Sequence, residues 1–255
     1  VGIRTIDFRH EQAAAYAAHA YARVTGKPGV CTGASGPGTL NLLTGQYTAW
    51  VDCAPMITLG GAGPISDFGR DGFQEIDQVG MARMVTKGAW LVPDPHRIPD
   101  LVATAFRTAL SGRRGPVHLT IPLDVQEIEV DASSVRFYRP DEYRPTGLPF
   151  GDPDRVKAAI ELLHSAERPM IVASNGAYSV DPEELRRMIE ITRIPIFTEE
   201  AARGIVPDDH PYCFGFADGR VNDAAAQVKD ADVLLLLGKK LDYTVNFGEP
   251  PMMDR

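Results

Sequence analysis

Two short stretches of this sequence hold residues suited to chemistry. Glu11 stands in Arg9-His10-Glu11-Gln12-Ala13-Ala14-Ala15, at the start of an alanine-rich run, and Ala34-Ser35-Gly36-Pro37-Gly38 follows it. A carboxylate at such a place can hold or pass a proton. It equally suits the positive end of a helix with no further role. A glycine turn between a strand and a helix aims backbone N–H groups at one point, which favours an anion or a closely approaching ligand. The turn is neither GxGxxG nor GxxxxGK[ST], so it is not the dinucleotide fingerprint or the P-loop. Taken alone, it also serves as a plain structural connection.

Other residues are candidates by type and place. Phe73-Gln74-Glu75 closes a loop rich in glycine, proline and aspartate, from Gly61 to Gly72. An aromatic and an amide on such a loop suit substrate contact, or anchor the loop. Lys87 can bind a carboxylate or be solvated. Ser174-Asn175-Gly176-Ala177-Tyr178 follows a strand as a nucleotide loop does, but holds one glycine. Asp208-Asp209-His210 has metal-ligand residue types, yet Pro207 and Pro211 flank it, which reads as a surface turn. No HExxH spacing joins the six histidines, and the three cysteines contain no CxxC pair. No metal site is expected, and the cysteines read as reduced and buried, in a cytoplasmic setting.

The elements that must position these residues alternate. The composition is that of a globular protein, 44% hydrophobic and 24% charged. The net charge of −8 argues against nucleic acid or an anionic membrane surface as the main partner. No apolar run of about 18 residues exists to span a membrane. Residues 3–7 read as the tail of a strand. Helices are expected over 11–25, 39–50, 77–84 and 96–111, with strands over 30–32, 55–59, 87–92 and 116–121. Residues 126–152 have a linker composition, rich in proline, glycine and acids. After it the rhythm restarts. Helices are expected over 153–165, 182–192 and 221–229, with strands over 170–173 and 195–198 and a fully buried strand over 233–237. Asp152-Pro153 and Asp181-Pro182 are helix starts. Strands alternating with helices imply an α/β fold with mostly parallel sheets flanked by helices, in two consecutive domains, 1–125 and 153–255. The opening Val1-Gly2-Ile3-Arg4 has no initiating Met, and the pattern breaks off at Arg255. The sequence therefore reads as a piece of a longer chain.

Four segments, taken in order, resemble a known family. RHEQAAAYAAHAYARVTGKPGV, SGPGTLN, GFQEIDQVGMARMVTK and RGPVHLTIPLDV are similar to those of thiamine diphosphate-dependent enzymes of the acetolactate synthase type. Benzaldehyde lyase, oxalyl-CoA decarboxylase and 2-hydroxyacyl-CoA lyase share them. The resemblance covers residues 3–125 strongly and 150–248 weakly. It implies a pyrimidine-binding domain lacking its first strand and helix, then a truncated Rossmann-like central domain. The family's GDG…Asn signature is absent, so the diphosphate-binding domain and its Mg²⁺ are implied to lie elsewhere, and the chain to be inactive alone. Glu11 matches the glutamate that hydrogen-bonds the cofactor's aminopyrimidine ring and promotes ionisation of the thiazolium carbon. Gly36 and Asn41 match the turn beside the cofactor. Gln74 matches an amide near the reacting groups, and Phe73 and Lys87 match substrate-pocket positions.

The implied activity is carboligation and decarboxylation of 2-ketoacids, in a homodimer or homotetramer. Pro28-Gly29-Val30-Cys31 is more like the CoA-thioester lyases, which keeps a 2-hydroxyacyl-CoA or benzaldehyde-type lyase as the alternative. Gly238-Lys239-Lys240-Leu241-Asp242-Tyr243 departs from acetolactate synthase wording, which leaves FAD in the central domain open. From a different class, a nucleotide-binding module without catalysis also fits the second half.

Overall fold

A computed structural model describes residues 2–145, 147 and 150–250. Three residues of the expected linker (146, 148 and 149) and residues 251–255 lie outside them. The chain forms two compact units, residues 1–148 and 149–255. Both are α/β with wholly parallel sheets.

In the first unit, β1 (Gly29–Gly33), β2 (Met56–Ala62), β3 (Ala89–Leu91) and β4 (Pro116–Pro122) lie in the order β1-β2-β4-β3. Helices α1 (Glu11–Thr25), α2 (Pro37–Val51), α3 (Gln78–Arg83), α4 (Ile98–Leu110), α5 (Leu123–Glu127) and α6 (Pro140–Tyr143) cover it. No strand forms ahead of α1, since residues 2–8 carry no regular structure. An isolated extended segment has no ladder partner to hold it there. Alanine makes α1 both helical and thin. Ala15, Ala18 and Ala22 are buried against β1 and α2. Packing is so close that a Cβ at Gly45 of α2 would sit 2.4 Å from the Ala15 Cβ, and one at Gly29 would sit 2.0 Å from the Ala18 carbonyl oxygen.

The other face carries α4. Leu101, Val102, Ala105, Phe106 and Ala109 pack on Ile57, Val117 and Leu119. Residues 126–144 are more ordered than their composition suggests. Tyr143 packs on Phe106 with ring centroids 5.7 Å apart, Arg144 lies over the Phe106 ring, and the Tyr138 hydroxyl donates to Asp100. Aromatic contacts with α4 outweigh the linker-like composition of this stretch.

One face of the first sheet hides polar groups. Gln46, Thr58, His118 and Thr120 are all buried. Burial pushes the His118 imidazole down to about 4, so it is neutral. The cysteines are all free, but only Cys31 is buried; Cys53 and Cys213 are half-buried, which corrects the expectation for two of the three.

The second unit has β5 (Pro169–Ala173), β6 (Ile196–Thr198), β7 (Cys213–Phe216) and β8 (Val233–Leu237), in the order β7-β6-β5-β8. Helices α7 (Pro153–Ser165) and α8 (Pro182–Thr192) start as expected, with Asp152 and Asp181 accepting from first-turn amides. Three expectations need correcting. β7 was not expected, because Gly215 and the flanking prolines hide its pattern. Residues 221–229 form only a short 3-10 turn, Ala225–Asp230. Residues 233–237 are half-buried throughout rather than fully buried, because β8 is an edge strand.

Two outcomes follow. Gly45→Ala gains helix propensity but overpacks against Ala15, so urea unfolding should show a net loss of about 1–3 kcal/mol. His118 has a native pKa below its unfolded value of 6.5. The unfolded chain takes the proton first, so this stability is complete above pH 6.5 and is lost as pH falls towards 4. Between these limits the wild type should lose about 3 kcal/mol more than His118→Leu, measured by denaturant unfolding at each pH.

Candidate active site

Parallel topology brings the N-termini of α1 and α2 to the same edge of the first sheet, beyond the C-terminal ends of its strands. His10 caps α1 through Nδ1, which accepts from the Gln12 backbone N–H at 3.1 Å. Glu11, the first helical residue, is half-buried. The Asn41 side chain, one turn into α2, donates to Glu11 Oε2 at 3.1 Å. Glu11's own backbone N–H, then the Asn41 amide, hold its carboxyl below the usual carboxylate range; partial burial opposes them, and His10 adds a small push the same way. A Cβ at Gly38 would stand 3.1 Å from Glu11 Oε1. The glycine therefore leaves open one side of the carboxylate.

The glycine turn is pinned from a second direction. Gly36 has φ +59°, and a Cβ there would fall 2.5 Å from the Gln74 carbonyl oxygen. Only glycine combines that backbone with that approach. The Gly36 N–H donates to Gln78 Oε1 at 2.9 Å, and Gln78 Nε2 donates to the Gly61 carbonyl at 2.9 Å. Buried Gln78 thus ties together the turn after β1, the end of β2 and the start of α3. Ser35 Oγ donates to the Gln74 carbonyl at 3.3 Å.

The loop over residues 63–77 is shaped by its own carboxylates. Glu75 accepts from the Gly69 and Gly72 backbone N–H groups at 2.5 and 2.9 Å, which holds it below the usual range. Asp77 caps α3 through the Gly80 N–H. Gln74 takes a left-handed conformation, with φ 56°, and its neighbour Phe73 is 86% exposed. This loop, α3 and the ends of β2, β3 and β4 enclose a cleft of about 910 Å³, whose lining includes Ser35, Phe68, Phe73, Gln74 and Thr120.

Glu11, Gly36, Asn41, Phe73 and Gln74 are therefore brought to one edge of the sheet. Lys87 is not. It precedes β3, and its backbone N–H donates to the Pro116 carbonyl at the start of β4. Its ammonium donates to the Thr108 and Ser111 carbonyls at 2.5 Å each, at the last turn of α4. Burial first, then nearby Arg113, lowers its pKa. Seven residues of β4 separate the two edges, roughly 20 Å. Within this unit Lys87 caps a helix, at the sheet edge opposite Phe73.

Sequence reasoning missed Gln46, Gln78, His118 and Thr120. The signal for His118 was a histidine between the apolar residues Val117 and Leu119 of a strand. For Gln46 it was an amide on the same helix face as Leu42 and Ala49.

In the second unit, strand order reverses at β5 and β8, the place where open parallel sheets receive ligands. Here the Gly176 N–H donates to the Gly238 carbonyl at 3.0 Å. The Lys239 side chain is buried, its ammonium 2.6 Å from Asp242 and 3.3 Å from Glu199. Asp208, Asp209 and His210 lie in a turn, and no group of three or more His, Cys, Asp or Glu among the described residues could hold a metal. No described helix is long and apolar enough to cross a membrane.

Comparison with known proteins agrees with this layout. Residues 1–81 match the N-terminal TPP binding domain of thiamine pyrophosphate enzymes, and residues 156–254 match their central domain. A probable acetolactate synthase large subunit of Methanococcus aeolicus is 40% identical over 238 residues, covering 90% of this chain and 39% of its own length. A 2-hydroxyacyl-CoA lyase of Arabidopsis thaliana is 36% identical across 100% of this chain and 44% of its own. Oxalyl-CoA decarboxylase of Escherichia coli K12 is 38% identical, over 97% of this chain and 43% of its own. The chain thus spans about two fifths of the length of these relatives. The chain belongs to the thiamine pyrophosphate enzymes and carries their N-terminal and central domains.

Proposed function

We propose that this chain forms the pyrimidine-binding and central parts of a thiamine diphosphate-dependent enzyme that decarboxylates and ligates 2-ketoacids, as an acetolactate synthase does. The observation that carries this reading is the Glu11 carboxylate, bonded to Asn41 and left open on one side by Gly38. The residues fit an aminopyrimidine. An oriented carboxylate oxygen suits a ring nitrogen, and glycines at positions 36 and 38 leave a flat approach that any side chain would fill. When bound, thiamine diphosphate supplies a nucleophilic thiazolium carbon and an electron sink for decarboxylation.

The chain's own residues do the rest. Glu11 takes up and returns a proton at the pyrimidine ring nitrogen. Asn41 fixes the orientation of Oε2 and favours the ionised carboxylate. Gly36 and Gln78 hold the turn against the loop. Phe73 and Gln74, at the cleft, face the 2-ketoacid and limit its access to water. The diphosphate and Mg²⁺ are held outside the described residues, by another part of a homodimer or homotetramer in the cytoplasm. FAD is left out of the reading. At the switch point of the second sheet the Gly176 N–H is already spent on Gly238, and Lys239 on two carboxylates, so neither is free for a diphosphate.

A second reading is a 2-hydroxyacyl-CoA or benzaldehyde-type lyase, favoured by lyase and decarboxylase relatives nearly as similar as the synthases. Comparing pyruvate condensation with cleavage of a 2-hydroxyacyl-CoA and of an aromatic hydroxyketone separates the two.

In the protein of full natural length, Glu11→Gln should lower kcat by about 10²–10⁴-fold and slow thiazolium proton exchange. Unchanged exchange by NMR would refute the role of Glu11. Asn41→Leu removes a donor that lowers the Glu11 pKa. The pKa then rises, and the ionised form is lost at higher pH on acidification. The acid limb of the kcat/KM profile should therefore move towards neutrality; an unmoved limb would dissociate Asn41 from Glu11.

A further inference from the structure

The cleft beside the loop over residues 63–77 holds a charged group that no contact described above uses. Arg83, the last residue of α3, lines it together with Val79, one helical turn earlier on the same face. Side chains on a helix lean towards its N-terminus. Arg83 is therefore directed back towards the end of α3 that buried Gln78 ties to Gly36 and Gly61. That is the edge of the sheet where Glu11 and the glycine turn stand.

Among the described residues that line the cleft, Arg83 is the only cation, and Asp67, Asp71, Glu75 and Asp77 are the acids. Three of the acids are occupied locally. Glu75 accepts from the Gly69 and Gly72 N–H groups, Asp77 accepts from the Gly80 N–H at 2.8 Å, and Asp67 accepts from the Ser66 hydroxyl at 3.1 Å. Asp71 is exposed. None of the four is paired with Arg83, which has no hydrogen bond or ion pair among the described residues. A cation in the last turn also suits the negative end of a helix, yet no carbonyl of α3 accepts from this guanidinium. With four carboxylates in the wall, an entering anion is repelled unless a cation receives it, and Arg83 is the group placed to do so. Its planar fork matches the two oxygens of a carboxylate. Phe68, Leu91 and Leu123 line the same cleft and offer hydrocarbon to the rest of a small acid.

We propose that Arg83 is a substrate-binding residue of the cleft, its guanidinium donating to the carboxylate of the 2-ketoacid. This rests on the reading of the cleft as the substrate space. The interaction is with charge, so the neutral ester of the same ketoacid does not gain from it. Because Arg83 is exposed, its contribution lies at the upper end of solvent-exposed ion pairs, about fivefold in affinity.

Pyruvate and methyl pyruvate are titrated into the ¹⁵N-labelled full 255-residue chain, as wild type, Arg83→Gln and Arg83→Lys, following the backbone amides of the cleft. The pyruvate Kd should rise about fivefold in Arg83→Gln and about twofold in Arg83→Lys, with the methyl pyruvate Kd the same in all three. Added salt should weaken pyruvate binding to the wild type and leave methyl pyruvate unchanged. Equal pyruvate affinity in wild type and Arg83→Gln, a matching loss for methyl pyruvate, or no pyruvate binding at the cleft overturns the proposal. If Arg83→Gln fails to fold, the lysine variant and the salt dependence of the wild type still decide. Pyruvate held through Arg83 without turnover in the cofactor-loaded protein of full natural length strikes the proposed reaction instead. Turnover of pyruvate with kcat/KM unchanged in Arg83→Gln strikes Arg83 alone, so the two failures are distinct.

Discussion

Everything at the candidate site depends on how closely α1 and α2 approach. Ala15, Ala18 and Ala22 on one helix, with Gly45 and Ala49 on the other, remove the side-chain bulk that normally keeps helix axes 8–10 Å apart. Because both helices run antiparallel to the same parallel strands, close packing also brings their N-termini together. The result is that a carboxylate at the first position of α1 meets an amide one turn into α2. Neither group has to reach far, and neither is buried deeply enough to neutralise the acid.

The turn and the loop complete what the helices begin. Gly36 allows Gln74 to lie against the turn, and Gln78 bonds to both sides of the gap. Glu75 and Asp77 use their charge inward, on backbone N–H groups, so the loop is held by its own acids. These are local devices, and they place the exposed Phe73 ring beside a cleft whose floor is formed by strand ends. Beneath the same strands, a neutral histidine carries a hydrogen-bond chain where hydrocarbon would normally pack. An unpaired polar group there is costly, and within the network only Gln46 Oε1 is buried without a partner.

The two edges of the first sheet divide the labour. The C-terminal edge holds Glu11, Asn41, the glycine turn and the cleft. The N-terminal edge holds Lys87 and Arg113, which satisfy helix-end carbonyls of α4 and α2. Parallel sheets enforce this, since every strand delivers its following loop to the same edge. In the second unit the corresponding edge is closed by Gly176 against Gly238 and by a lysine clamped between acids.

Much of this was legible in the residues. The alternation of strands and helices, the Asp-Pro helix starts, the alanine face of α1 and the glycine turn all depend on local propensity and periodicity, which act over a few residues. The candidate status of Glu11 was legible because four segments occur in order, not because any one is specific. Tertiary structure decided what depends on non-local packing. It placed Lys87 at the far edge, because strand direction and not residue type sets which edge a loop reaches. It made β8 an edge strand, left residues 2–8 without a ladder, and docked residues 138–144 on α4 despite their linker composition. It also joined Gln46, Thr58, His118 and Thr120, which stand up to 74 residues apart in sequence and meet only because β2 and β4 are neighbours under one helix.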